Sequence, residues 1–125
     1  MTSVWKSPHV TLVWLIALQM ARASTYERDY FAAAAAWEQT LAAPLVTRAE
    51  RAEGLQQLAR CAARLADWRR AAACWAEMAQ DPRLRRLSAF VELAKLQEHK
   101  LKDAAAALET TEEALSLLDR GLVRP

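Results

Sequence analysis

Histidine, glutamate and cysteine are the side chains of this sequence that could do acid–base or metal chemistry. Glu98 and His99 are adjacent, and a glutamate beside a histidine can orient it as a general base near neutral pH. Neighbouring residues on a helix point about 100° apart, however, and the other histidine, His9, lies at the opposite end of the chain. Cys61 and Cys74 make no metal-ligand spacing with either histidine. We therefore predict no enzymatic activity, no metal site and no cofactor.

The elements that position these residues are predicted to be helices. The chain has 125 residues, of which 2 are glycine and 4 are proline, so little material is available for hairpin turns. Alanine, leucine, arginine and glutamate are strong helix formers and make up much of the remainder. The 17 basic and 15 acidic residues are nearly balanced, and the net charge by itself indicates no nucleic-acid partner.

An apolar run near the amino terminus, Val10 to Leu18, has three interpretations. It is shorter than the roughly 18 residues that a membrane-spanning helix requires, so no membrane anchor is expected. Together with Ala21-Arg22-Ala23 it also has the pattern of a secretory signal with its cleavage site, and secretion remains an alternative. We favour the third interpretation, the first helix of a folded repeat, and hence a cytoplasmic protein.

A repeat is visible in the sequence itself. Asp29, Asp67 and Asp103 recur at intervals of about 37 residues, which is a typical helical-repeat period. Aspartate caps helices, because its carboxylate accepts from the free N–H groups of the first turn. An alanine follows four residues after each aspartate, and a tryptophan follows eight residues after the first two. A small and then a large residue on one helical face is what a close helix crossing requires. Ala33, Ala71, Trp37, Trp75, Cys61 and Cys74 are therefore predicted to lie in the core.

A second apolar stretch precedes each aspartate, so that each unit is predicted to be an antiparallel pair of helices. The members of these stretches are Leu12, Leu15, Ile16 and Met20; Leu55, Leu58, Ala59 and Ala62; and Phe90, Leu93, Ala94 and Gln97. The three units are placed at about residues 8–44, 47–82 and 83–120 of a single domain spanning 1–125.

Boundary signals agree with six helices. Ser7-Pro8 and Asp81-Pro82 each offer a cap followed by a first-turn proline, for helices one and five. Thr47 to Glu50 is a capping box for helix three. Gly121 is expected to end the last helix, and Gly54 inside helix three indicates a close contact.

These residues resemble the tetratricopeptide repeat. The unit length, the turn aspartate followed by an aromatic residue in Asp29-Tyr30 and Asp67-Trp68, and the alanine and aromatic behind it carry the resemblance. It implies an all-α fold of three antiparallel helix hairpins, about six helices, stacked as a short right-handed α-solenoid. The third unit departs from the pattern, with Ala104 and Thr111 where aromatic residues are expected and one extra residue before Asp103.

A narrower resemblance covers the segment from Glu92 to Asp103 together with Asp67-Trp68 and Trp75. It is similar to the C-terminal helical-repeat tail of some bacterial ribonuclease H-like exonuclease proteins. Only the repeat region is carried over, because nothing in this chain can form the mixed α/β nuclease domain.

The first helices of the units carry the residues that we predict to bind a partner. In tetratricopeptide stacks these helices line the concave face, and equivalent positions of this chain hold basic or aromatic residues, namely Arg22, Tyr26, Arg60, Arg64, Lys95 and His99. Because arginine binds carboxylates bidentately, such a ladder could hold an acidic peptide. The alternative interpretation is that these are solvated charges on amphipathic helices.

Two classes of function remain open at this stage. The first is a non-catalytic scaffold that holds a peptide or partner helix, and we favour it because the charge is balanced. The second is an accessory nucleic-acid-binding module that uses the ladder together with Arg83, Arg85 and Arg86, in association with a ribonuclease H-like nuclease. Self-association is a further alternative for the partner.

Overall fold

The computed structural model describes residues 8–44 and 46–125, with side chains from residue 14 onward. Every regular element within these ranges is a helix, which confirms the all-α prediction. Contacts between consecutive helices are consistent with a helical-repeat arrangement. The helices are α1 (Pro8–Tyr26), α2 (Tyr30–Ala42), α3 (Arg48–Arg64), α4 (Trp68–Gln80), α5 (Leu87–His99) and α6 (Ala104–Asp119).

The helices group into two compact units. The first extends to Leu65 and contains α1, α2 and α3, with α2 packed on both of the others. The second begins at Ala66 and contains α4, α5 and α6, with α5 packed on both of the others. The prediction of a single domain stays a prediction, and each unit is described by itself below.

The turn before each aspartate is the clearest structural mark of the repeat. Asp29, Asp67 and Asp103 each cap a helix, and each carboxylate accepts from the backbone N–H three residues on. The residue before each aspartate is in the left-handed region, with φ of 61° at Arg28, 58° at Ala66 and 56° at Lys102. The same unusual backbone recurs at three equivalent positions, and the predicted starts of α2, α4 and α6 are confirmed.

The predicted small and large core residues are buried in both units. Ala33 and Ala71 are fully inaccessible to solvent, which confirms their predicted burial. Trp37 and Trp75 are buried as well, and so are Cys61 and Cys74. The indole N–H of Trp37 donates to the hydroxyl of Thr25 over 2.8 Å, so α1 satisfies the polar atom of this core side chain.

Gly54 confirms the close contact expected inside α3. A Cβ at this position would lie 2.7 Å from Cδ2 and 3.0 Å from Cγ of Leu41 on α2. Leu41 therefore fills the space that a larger residue in α3 would need. This contact fixes which face of α3 packs on α2.

The buried face of α1 differs from the predicted one. Leu15, Ile16 and Met20 are exposed, whereas Ala17 and Leu18 are buried together with Ala21. The apolar run is continuous, so its periodicity does not determine which face of α1 is buried. The face with the small residues is buried because small side chains allow α2 to approach closely. The side chain of Leu12 lies outside the described residues. No helix in the described ranges is long and apolar enough to cross a membrane.

The start of helix five was predicted wrongly. Asp81 follows the last residue of α4, and its carboxylate accepts from the N–H of Arg83 in a short turn. The extended backbone of Arg86 ends that turn, and α5 begins at Leu87 with no side-chain cap. The carbonyl of Arg124 instead accepts from the Leu87 N–H over 2.9 Å, so the C-terminal tail replaces the missing cap.

The other boundary predictions have mixed outcomes. The Thr47 hydroxyl accepts from the Glu50 N–H, but Glu50 Oε2 has no partner among the described residues, so only half of the capping box forms. Gly121 has φ of 69° and ends α6 as predicted. The Ser7 cap lies outside the described residues.

Candidate functional site

Arg22 is the first of the predicted binding residues and is already paired within the protein. Its Nη2 and Nε donate to the two carboxylate oxygens of Glu53 over 2.8 and 3.1 Å, which joins α1 to α3. This hydrogen bond, with the charge of Glu53, raises the pKa of the Arg22 guanidinium against the opposing effect of burial. The bidentate face that would grip a ligand carboxylate is therefore occupied.

The other predicted residues of the first unit are Tyr26, Arg60 and Arg64, and all three are exposed. The Arg64 guanidinium lies over the ring of Tyr30, 5.7 Å from its centroid, in a cation–π arrangement. Arg60 makes no ion pair among the described residues. These side chains are accessible, but only Arg60 has its charge unengaged.

Lys95 and His99 of the second unit lie beside acidic residues of the same helix. Lys95 Nζ is 3.7 Å from a carboxylate oxygen of Glu92, and His99 Nε2 is 3.8 Å from one of Glu98. Both pairs are largely exposed, so water screens them strongly. Within residues 14–44 and 46–125, no cluster of three side chains is able to hold a metal ion.

The arginines invoked for nucleic-acid binding are partly engaged as well. Arg85 donates from Nε to the Ala79 carbonyl over 3.2 Å and from Nη2 to the Gln80 carbonyl over 3.4 Å. It thereby satisfies carbonyls at the end of α4. Arg83 Nε is 3.5 Å from the Asp81 carboxylate.

An apolar groove lies between α5 and α6. It encloses about 260 Å³, and almost all of its exposed lining is carbon. Its lining residues are Leu87, Phe90, Val91, Ala94, Thr111, Ala114, Leu115 and Leu118. A second recess of about 260 Å³ shares Ala94 and Thr111 with it and extends to Leu108 and Glu98. The two recesses form one surface, which we call the α5–α6 groove.

The repeat explains why this groove is open. The fifth residue after the capping aspartate is buried at Ala34 in α2 and Ala72 in α4, but in α6 it is Leu108, which is 60% exposed. The twelfth residue is Leu41 in α2, which contacts Gly54 of α3, whereas Leu115 of α6 is 61% exposed. The face that α3 covers on α2 is thus uncovered on α6.

The eighth residue after the aspartate adds to the space in the groove. It is the buried Trp37 in α2 and the buried Trp75 in α4, but in α6 it is the exposed Thr111. Threonine is smaller than tryptophan, so in α6 it leaves empty the volume that the indole fills in α2 and α4. The departure from the repeat pattern seen in the sequence therefore coincides with the groove.

Sequence reasoning missed the groove although a signal was present. Leu108, Leu115 and Leu118, with Thr111 between them, follow one another at alternating steps of three and four residues. That spacing marks a second apolar stripe, beside the buried stripe that contains Ala107 and Ala114. One helix with two such stripes has more apolar surface than one neighbour can cover.

The comparisons with known proteins give no family. The chain matches no protein-family model, no curated protein and no solved structure.

Proposed function

We propose that this protein is a non-catalytic interaction scaffold and that its α5–α6 groove binds an amphipathic helix. The exposure of Leu108 and Leu115, at positions whose equivalents in α2 and α4 are covered by the next helix, carries the proposal. Exposed apolar stripes of this kind mark interaction surfaces, because water is released when a partner covers them.

The contact between α2 and α3 indicates what such a helix must offer. Leu41 of α2 packs against Gly54, which has no side chain. Leu115 is the equivalent residue of α6, so a partner helix must either place a small residue opposite it or lie farther from α6 to make room for a larger one. Apolar residues at steps of three and four would line the rest of its face. Helix α6 carries Glu109, Glu112, Glu113 and Asp119 and no basic residue, which favours a partner helix with basic flanks.

The exposed arginines of the first unit support a second, acidic ligand for the same scaffold. Arg60 and Arg64 are accessible, whereas Arg22 would have to exchange Glu53 for a ligand carboxylate. Arg60→Glu is therefore expected to weaken such binding more than Arg22→Glu does. Nucleic-acid binding is the alternative function, and no contact described above favours it.

A helical peptide with the sequence of α3, residues 48–64, tests the groove. This helix covers the equivalent face of α2, and it carries four arginines against two glutamates. The peptide is stapled on its exposed side, since an isolated helix of this length is marginal in water. Titration into the ¹⁵N-labelled chain should shift amide resonances around Val91, Leu108 and Leu115.

A pair of variants serves as the control for this titration. Leu115→Glu should abolish the shifts, because it places a charge in the groove. Ser116→Glu adds the same charge one residue along the helix, away from the lining residues, and should leave binding unchanged. Shifts that are equal in both variants, or that lie outside α5 and α6, would contradict the proposed site.

A further inference from the structure

We propose that the helix that occupies the α5–α6 groove is α1 of a second copy of this chain. The inference rests on the proposed function and names the partner of the same groove. Helices α1 and α6 each have an apolar face that no described residue covers, and the inference begins from these two faces.

The open face of α1 corresponds to the face by which α3 packs on α2. Counted back from the capping aspartates, Ile16 is equivalent to Gly54, and Met20 is equivalent to Leu58. Gly54 and Leu58 are buried, and Gly54 contacts Leu41 of α2. Ile16 is 50% exposed and Met20 is 58% exposed. Helix α1 thus exposes the face that corresponds to the face of α3 packed on α2.

The open faces of α1 and α6 therefore match the two sides of a contact that the chain already makes. In the α2–α3 interface, Leu41, the twelfth residue after Asp29, contacts Gly54 of α3. The same register between two copies would place Leu115 of one against Ile16 of the other. Association would be head-to-tail, because the two surfaces are different.

The sizes of the side chains agree with this pairing. Ile16 and Met20 are bulkier than Gly54 and Leu58 taken together, so α1 needs more room than α3 does. Thr111 supplies it, since tryptophan fills the equivalent position in α2 and α4. The groove of about 260 Å³ lies at this point, and methionine adapts well to an irregular cavity.

The pairing relies on apolar contact rather than on charge. Helix α6 carries four acidic residues and no basic one, but Arg22 of α1 is already paired with Glu53 of α3. Association should therefore depend little on added salt.

Sedimentation equilibrium of the full chain from about 1 to 500 µM tests the inference. The parent should show an average mass that rises reversibly with concentration, in the range of weak protein association. Met20→Glu and Leu115→Glu should each remain monomeric over this range. Leu15→Glu and Ser116→Glu place the same charge on other faces of the same helices and should associate like the parent. Circular dichroism must show parental helicity for all four variants.

Mixing the two monomeric variants separates head-to-tail association from a symmetric dimer. The Leu115→Glu chain keeps an intact α1 face, and the Met20→Glu chain keeps an intact groove. Their equimolar mixture should therefore form a dimer that grows no further, whereas a symmetric interface would not be restored by mixing.

A parent that stays monomeric at 500 µM, or a mixture of the variants that stays monomeric, would overturn the inference. The α3 peptide distinguishes this failure from that of the proposed function. If the peptide binds the groove of a monomeric parent, the scaffold function stands and the partner is another protein. If the peptide does not bind either, both proposals fail.

Discussion

Cys74 is a buried thiol whose ionisation links stability to pH. Burial raises the pKa of the Cys74 thiol to about 11, and nearby Glu77 adds to the shift. The folded chain therefore keeps the proton that the unfolded chain loses above about pH 9. The stabilisation from the neutral thiol is complete below pH 9 and is lost as the pH rises towards 11.

We predict that the parent loses about 2 to 3 kcal/mol more of its unfolding free energy between pH 9 and 11 than Cys74→Ala does. Urea unfolding at each pH measures the two slopes. The cavity left by alanine lowers the stability of the variant at every pH, so the slope is the quantity compared. Parallel slopes would show that the thiol ionises without hindrance in the folded chain.

Gly54 and Leu41 form the second residue-level test. Gly54→Ala should gain about 1 kcal/mol of helix propensity. In the parent this gain is reduced, because the new Cβ would lie 2.7 Å from Cδ2 of Leu41 and that methyl group must move. In a Leu41→Ala background the clash is absent, and the same substitution should stabilise by about 1 kcal/mol. A double-mutant cycle by chemical denaturation measures the coupling, which should be zero if the two side chains do not touch.

Residue types predicted the small-residue contacts better than the large apolar ones. Gly54 was predicted correctly because a glycine inside a helix lowers stability unless it allows close packing. Ala71 was predicted correctly because it occupies the repeated position four residues after a capping aspartate. Ile16 and Met20 were assigned to a buried stripe and are exposed. Apolar character favours burial in general, but it does not say whether the same chain or another molecule supplies the cover.

At the scale of elements, the three left-handed turn residues make a prediction about stability. Ala66 has φ of 58°, a conformation that costs an L-residue about 1 to 2 kcal/mol and glycine almost nothing. Allowing for the chain entropy of glycine, Ala66→Gly should raise the unfolding free energy by about 0.5 to 1 kcal/mol. Ala73→Gly, at an exposed position inside α4, should lower it by about 1 kcal/mol. Thermal and urea unfolding of both variants measure this opposite response.

Helix starts could be predicted where a local interaction determines them. Asp29, Asp67 and Asp103 bond to N–H groups three residues away, so sequence alone contains both partners. The start of α5 is different, because the group that accepts from Leu87 is the carbonyl of Arg124, far along the chain. Asp81-Pro82 has the local signature of a helix start and forms a turn instead.

At the scale of the whole molecule, the near balance of charge makes a prediction about nucleic acid. Non-specific binding depends on several unpaired basic residues that displace counterions from phosphates. Arg22, Arg83 and Arg85 are engaged within the protein. We expect no binding of a fluorescein-labelled single-stranded oligonucleotide tighter than about 100 µM at low salt. Tight binding that falls steeply with added salt would favour the nucleic-acid alternative.

The candidate site could not be predicted at this scale, because it depends on which faces of α6 the other described helices cover. Leu108 and Ala72 occupy equivalent positions, and only the absence of a following helix in the described chain makes the leucine exposed. Sequence periodicity predicted the helix starts at the three aspartates. It could not reveal that the third repeat carries a groove, since no described residue packs on the exposed face of its second helix.

The buried indoles of Trp37 and Trp75 give each compact unit its own fluorescent reporter. The two occupy the same repeat position, one in each unit, and both are buried. Emission of a shielded indole is blue-shifted and moves to the red on hydration. Two variants would each keep a single tryptophan, either Trp37 or Trp75, with the other four replaced by phenylalanine. The emission of each variant would then report the unfolding of one unit. Whether the two halves of the molecule melt together or separately can then be followed optically without any attached dye.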